Sequence, residues 1–521
     1  MGSSAVAVAG LQPRPSRTGI EGAPPDHFER TGWPLWLLIV AFALGHLLLA
    51  ALLPLTPQEA YYWLWSRELA WSYFDHPPLA AYSIALTTAL LGSTAFGIKC
   101  AAVAWSFVLS VLWARLILDF GWGQRTAFWS LLAINLVGIV AAYGIVIAPD
   151  APLLAAWVAT LWAVWRAART GQGRWWILGG ACLGLALLAK YTAILLVPAV
   201  GLFLLLSPRQ RSWLARPWPW LAAFVAAAVF APVVVWNAEH SWASFAFQST
   251  QRAAGMGAWR PRYLLQMVGT QLAVATPYLL AIALMAWWSA LRGWRQLLDD
   301  DARLLLVVSA TIPLLLFTFT SLRSMVKPNW LAPAYPPLLA LAVQARLQGG
   351  LIPRGLRIGL ATSATLLLAA VAAMAIPNTR LQEANTWSGW AEAARRVDSA
   401  RQQLAAAGTR SFVFTTNYKN SALLAFHLSG QPRTYAQDIY GEPALQFDYW
   451  PPEALAGQSA ILAMDDRRDA AGPPAALLAQ FESVRKIDSV VVGNPERPTR
   501  RIDLYLCEGY RGHPRAGFTS S

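Results

Sequence analysis

The stretch WPLWLLIVAFALGHLLLAALLPL, residues 33–55, carries no acidic or basic group other than one histidine over a length that crosses a bilayer. A chain made of such runs must satisfy its backbone polar groups internally, and helices do this. Further apolar runs lie at roughly 96–118, 126–147, 151–168, 218–236, 263–290, 303–321, 330–345 and 356–376. Residues 175–206 form another, interrupted at Ala189-Lys190-Tyr191. One helix of that length would measure about 48 Å, too long for a membrane, so the run reads as two short spans meeting at Lys190. The expected fold is an α-helical polytopic membrane protein with about 11 transmembrane helices.

Hydrophobic residues make up 56% of the chain and charged residues 13%, which excludes an ordinary soluble domain. The formal charge of +14 does not mark a nucleic-acid binder, because the arginines are scattered through short loops instead of gathering on one face. The three cysteines, Cys100, Cys182 and Cys507, are too far apart to offer a disulfide framework or a CxxC metal site. With the N-terminus in the cytoplasm, 17 Lys and Arg fall in inside loops and 8 in outside loops, as the positive-inside rule requires. Residues 1–32, rich in Pro, Gly and Ser, read as a disordered cytoplasmic tail, and residues 33–376 as the membrane domain. Residues 377–521 mix helix-like segments with β-like runs at 411–416, 460–464, 489–492 and 501–506, and read as a small extracytoplasmic α/β domain.

The loop 56–82 follows the first span and is crowded with aromatics, three carboxylates, a histidine and Pro77-Pro78. Tyr61, Tyr62 and Trp65 fall at helical spacing, which predicts an amphipathic helix in the interface, with Glu59 near its start. The two prolines restrict the backbone behind Asp75 and His76. Asp150 stands alone between two apolar runs, where an ionisable group is costly; it is a functional candidate and also a plausible cap of the next span. Lys190, Arg252 and Lys327 belong to an outside set of cations that runs against the charge rule, as an anionic ligand at that face would explain. His240 could join Asp75 and His76 on a divalent ion, the one cofactor the residues leave open. Tyr61, Tyr62, Asn237, His240, Asn329, Trp330 and Tyr335 complete the candidate substrate lining. No P-loop, GxGxxG after a strand, or GxSxG occurs.

The ordered set Tyr61-Tyr62, Tyr73-Phe74-Asp75-His76-Pro77-Pro78, Pro149-Asp150, Ala189-Lys190-Tyr191-Thr192, Lys327-Pro328-Asn329-Trp330 and Tyr335 resembles the family of protein O-mannosyltransferases and the aminoarabinose transferase of lipid A. These are GT-C glycosyltransferases, so the resemblance implies an enzyme that moves a sugar from a polyprenyl-phosphate donor to an envelope glycan, lipid or protein. It implies a bacterial inner-membrane location with the C-terminal domain periplasmic. It also implies a catalytic base in the first outer loop, where Gln58-Glu59 replaces the family's Asp-Glu; Glu59 and Asp75 are the two candidates, with Asp150 as the second outer-loop acid. His76, Lys190, Arg252 and Lys327 are the candidate donor-phosphate ligands. The competing class is a carrier or flippase of lipid-linked sugars, since broken helices and intramembrane charges also mark transporters.

Overall fold

The computed structural model describes residues 32–251, 258–347, 354–375, 385–450, 453–494 and 496–512. Arg252 and residues 1–31 of the N-terminal tail expected at 1–32 lie outside the described residues. Among the described residues six helices are long and apolar enough to cross a membrane: Trp33–Leu52, Ala95–Asp119, Asp150–Thr170, Pro217–Glu239, Asp301–Ser321 and Arg354–Met374. This is an integral membrane protein, but its helices depart from a row of eleven straight spans.

The interruptions coincide with particular contacts and residues. The expected span 126–147 is two helices, Gly123–Asn135 and Gly138–Tyr143, separated by extended backbone at Val137. A Cβ at Gly138 would approach the Val274 carbonyl to 3.2 Å, so the break packs tightly on a neighbour. That neighbour is itself bent: Arg262–Ala275 and Pro277–Arg292 meet at 107°. Proline 277 starts the second half, and Thr276 takes φ 61°, ψ 147° with its hydroxyl 3.1 Å from Ser363 Oγ. The run 330–345 opens as a 3₁₀ helix, Pro328–Ala334, before the helix Tyr335–Leu347. An apolar helix not expected from the hydropathy pattern, Leu79–Leu91, starts directly after Pro77-Pro78 and stops at Gly92. Its 13 residues are too few to register as a span.

Lys190 is extended, φ −158° and ψ 137°, between the helix Arg174–Ala189 and a 3₁₀ turn that leads into Leu196–Leu206. The Arg174–Ala189 helix lies against both Asp150–Thr170 and Pro217–Glu239. Gly180 and Gly184 make this possible: a Cβ on the first would strike the Ala222 carbonyl, and one on the second the Val229 side chain. Small residues four apart let helices approach where lipid offers no hydrophobic drive to associate.

The C-terminal part is a four-stranded sheet, β1 (Ser411–Thr415), β2 (Ser459–Asp465), β3 (Ser483–Asn494) and β4 (Arg497–Glu508), in the order β1-β2-β4-β3. β1 and β2 run parallel with Val413 opposite Ile461; β4 is antiparallel to both of its neighbours. Helices Trp390–Ala406 and Tyr418–His427 pack with it. All four expected β-like runs fall in these strands. The core of this domain is continuous with the loop after the first span, because Tyr61, Trp63 and Trp65 share one apolar cluster with Trp390, Leu423, Phe447 and Ile461.

Candidate active site

The Pro57–Arg67 helix begins with a full capping box: Glu59 N–H donates to Thr56 Oγ1 at 3.3 Å, and Thr56 N–H donates to Glu59 Oε2 at 2.9 Å. The same carboxylate takes the Lys99 ammonium at 2.7 and 3.0 Å and the Ile147 N–H at 3.3 Å. Glu59 is 0% exposed and Lys99 1%. Both oxygens are thus committed to holding the helix, a span and the 147 turn together. Glu59, expected as a leading candidate for the base, has no face left toward a substrate.

Asp75 is in a different situation. The turn before Pro77 is closed by Tyr73 N–H donating to the His76 carbonyl at 3.2 Å, and it leaves the Asp75 carboxylate 8% exposed with the Tyr61 hydroxyl donating to Oδ1 at 3.0 Å. Burial pushes its pKa up to about 7, against the lowering effects of the Tyr61 hydrogen bond and the charges of Lys327 and Lys419. The loop is pinned from two sides. Gln248 Nε2 donates to the Asp75 carbonyl at 2.5 Å, and Gln446 accepts from Phe74 N–H at 2.8 Å while its own N–H donates to the Tyr61 oxygen at 3.1 Å. Leu445 adopts φ 56° beside Gln446, a left-handed conformation that a leucine takes only when its surroundings enforce it. Tyr62, also buried, sets its ring 6.4 Å from His76.

Asp150 joins the two irregular stretches of backbone. Its Oδ1 accepts from Lys190 Nζ at 2.7 Å, and its Oδ2 accepts from Asn329 Nδ2 at 2.9 Å. This fixes Lys190 at its helix break and Asn329 in the 3₁₀ turn. Between them lies a cavity of about 340 Å³ whose polar wall includes His76, Lys190, Gln248, Lys327 and Asn329. Its apolar wall includes Ile194, Leu316, Phe317 and Trp330, and Ile194 and Leu316 are exposed on the outer surface of the helical bundle. The cavity is thus bordered by exposed apolar side chains on one wall and by His76, the neighbour of Asp75, on another.

Other candidates fall elsewhere. Asn237 spends its amide on Val233 O at 2.9 Å and Phe245 N at 3.1 Å, and so braces a turn. Tyr335 is buried with its hydroxyl on Gln271 Oε1 at 2.6 Å. His240 stacks on Trp236 at 4.0 Å with Nδ1 2.7 Å from the Trp236 carbonyl oxygen. Among the described residues no three His, Cys, Asp or Glu side chains gather as a metal site, so Asp75, His76 and His240 do not form the expected ligand set. The residues that the sequence left unmarked are Lys99, Gln248, Lys419 and Gln446. Only Lys99 carried a signal, as a lone ionisable group at the start of an apolar run.

The family described as dolichyl-phosphate-mannose-protein mannosyltransferase matches residues 75–236, which contain Asp75, His76, Asp150 and Lys190. Two crystal structures of ArnT from Cupriavidus metallidurans superpose along most of both chains. The apo form gives a TM-score of 0.58 at 17% identity, and the form bound to undecaprenyl phosphate 0.59 at 18%; each covers 91% of this chain and 98% of the other. The chain has the fold of the GT-C glycosyltransferases. In sequence, the chain is 28% identical over 308 residues to the lipid A galacturonosyltransferase RgtD of Rhizobium johnstonii. It is 29% identical over 333 residues to the undecaprenyl phosphate-α-4-amino-4-deoxy-L-arabinose arabinosyl transferase of Pseudomonas aeruginosa. These matches span 62% and 57% of the two relatives and 58% and 59% of this chain.

Tyr61→Phe tests the support of the carboxylate. The hydroxyl donates to the ionised form, so its loss raises the Asp75 pKa further. The acid limb of the activity profile is expected to move to higher pH by about one unit, with activity at pH 9 falling less than at pH 7; an unmoved limb would detach Tyr61 from the reacting group.

Proposed function

We propose that this protein is a glycosyltransferase that moves a sugar from a polyprenyl-phosphate donor to an acceptor on an envelope glycan, lipid or protein, at the periplasmic face of the bacterial inner membrane, with the N-terminus cytoplasmic. The observation that carries the reading is a cation-lined cavity with exposed apolar side chains on one wall and His76 on another, next in sequence to the buried Asp75 carboxylate, whose pKa burial raises to about 7. The relatives support the same chemistry: two are named for sugar transfer to lipid A or from undecaprenyl phosphate, and one similar fold has been solved with undecaprenyl phosphate bound.

The polyprenyl chain lies along Ile194, Leu316 and Phe317, and its phosphate meets Lys327 and His76, with Lys190 held beside them by Asp150. Asp75 takes the proton of the acceptor hydroxyl as its oxygen attacks the anomeric carbon. The bond from that carbon to the phosphate oxygen breaks, and the electron pair leaves on the phosphate. Cationic groups stabilise the charge as it develops there, which is where such groups lower a barrier most. A base with a pKa near the working pH combines an ionised fraction with useful basicity.

The test is mass spectrometry of envelope lipids, glycans and proteins from cells with and without the chain, followed by transfer with purified protein and a polyprenyl-phosphate sugar. One added sugar that depends on the chain is the expected result. Movement of donor across the membrane without covalent change would replace this reading with a carrier. Lys327→Gln is expected to raise KM for the donor about tenfold or more with a smaller effect on kcat, since it removes a charge-assisted contact to a phosphate. An unchanged donor KM would move the phosphate elsewhere.

A further inference from the structure

A second cavity, of about 630 Å³, lies between the start of the Pro57–Arg67 helix and the C-terminal domain. Pro57 and Gln58 form one wall, and Tyr418, Lys419, Arg467 and Arg468 contribute to the other. The connection to Asp75 is short. Asp75 bonds to Tyr61, Tyr61 packs edge-on to Tyr418 with ring centres 4.7 Å apart, and the Lys419 ammonium sits 5.7 Å from the Tyr418 ring.

The charge on this wall is not internally balanced. The one carboxylate lining the cavity, Asp465, is occupied by Arg500 at 2.9 Å and Arg467 at 3.5 Å. Among the described residues neither Lys419 nor Arg468 has a carboxylate within ion-pair distance. Lys419 is half-buried, and burial together with the charge of Arg468 depresses its pKa, against the opposing pull of Asp75. It also sits in the first turn of the Tyr418–His427 helix, the end of the dipole that disfavours a cation. Three unfavourable terms converge on a lysine facing an open cavity, and an anion in that cavity relieves all three.

We infer that this cavity receives a phosphate or carboxylate group of the acceptor, held by Lys419 and Arg468, and that the C-terminal domain thereby selects an anionic acceptor and presents its hydroxyl to Asp75. The inference rests on the transferase reading and gives its acceptor a chemical class. The donor phosphate and the acceptor anion would then each face one of the two lysines, Lys327 and Lys419, whose charge Asp75 feels.

The experiment uses the full chain in nanodiscs of zwitterionic lipid, with glucose 1-phosphate and glucose as probes and saturation-transfer NMR as the readout. Binding needs no turnover, so its failure is distinct from a failure of transfer. Glucose 1-phosphate is expected to bind at least tenfold more tightly than glucose. Lys419→Gln with Arg468→Gln is expected to abolish that preference, Lys419→Arg with Arg468→Lys to restore it, and Lys327→Gln to leave it in place. Equal binding of both sugars, or a preference lost with Lys327→Gln and kept with Lys419→Gln and Arg468→Gln, would overturn the inference. Once an acceptor is known, the Lys419→Gln and Arg468→Gln pair is expected to raise its KM and not that of the donor. A change confined to the donor would assign the cations to the transferred sugar instead.

Discussion

Replacing Asp75 by Asn is expected to lower kcat/KM for sugar transfer by about 10²–10⁴-fold, the usual worth of a positioned general base, with the folded protein retained. Asparagine preserves the shape and still accepts the Tyr61 hydroxyl, so the loop between Tyr73 and Pro77 has no reason to move. The pH dependence carries more information than the loss itself. With the Asp75 pKa near 7, wild-type activity should rise about tenfold per pH unit below that value and level off above it. In stability the sign runs the other way. The folded-state pKa lies above the ordinary 3.8, so between about pH 4 and 7 the folded chain keeps a proton that the unfolded chain has lost. Stability therefore falls through that window, by about 4 kcal/mol for a full shift, and stays lower above it. Asp75→Asn removes this cost, and its thermal midpoint at pH 8 should equal or exceed that of the wild type. A variant that lost activity and thermal stability together at pH 8 would show that Asp75 serves the fold and not the reaction.

How much of this was visible in the linear sequence depends on the range of the interactions. The proline pair behind Asp75-His76, the break at Lys190 and the polar entry of Lys327-Pro328-Asn329 are local patterns, and the site assembles on those segments. Helix existence followed the apolar runs, but helix continuity did not. Breaks at Val137 and Thr276 arise where backbone from one interrupted helix packs on another, which hydropathy does not encode. The same limit hid Leu79–Leu91, shorter than the window that recognises a span. Pairings at long separation were the least legible. Gln446 reaches Phe74 across 372 residues, and Lys99 reaches Glu59 across 40. A carboxylate and a lysine read one at a time look like a catalyst and a stray charge, and only their meeting shows that each neutralises the other.

That meeting leads to the second large effect. Glu59 and Lys99 form an ion pair sealed from solvent, and removal of one partner from such a pair leaves the other charge buried without compensation. Glu59→Gln is expected to cost about 3–5 kcal/mol, read as a lower thermal midpoint and a smaller yield of folded protein, even though glutamine can still serve the capping box with Thr56. Lys99→Met should cost a similar amount, because it strands the carboxylate in place of the ammonium. Combining the two removes both charges, and the Glu59→Gln, Lys99→Met protein should recover most of the lost stability, as apolar or neutral replacements of buried pairs commonly do. Its turnover should then lie within about tenfold of wild type if the pair only positions the loop. The opposite result, a stable double variant with no activity and an Asp75→Asn variant that still turns over, would transfer the role of base from Asp75 to Glu59. The design separates folding from chemistry because the double variant restores the first without restoring the carboxylate.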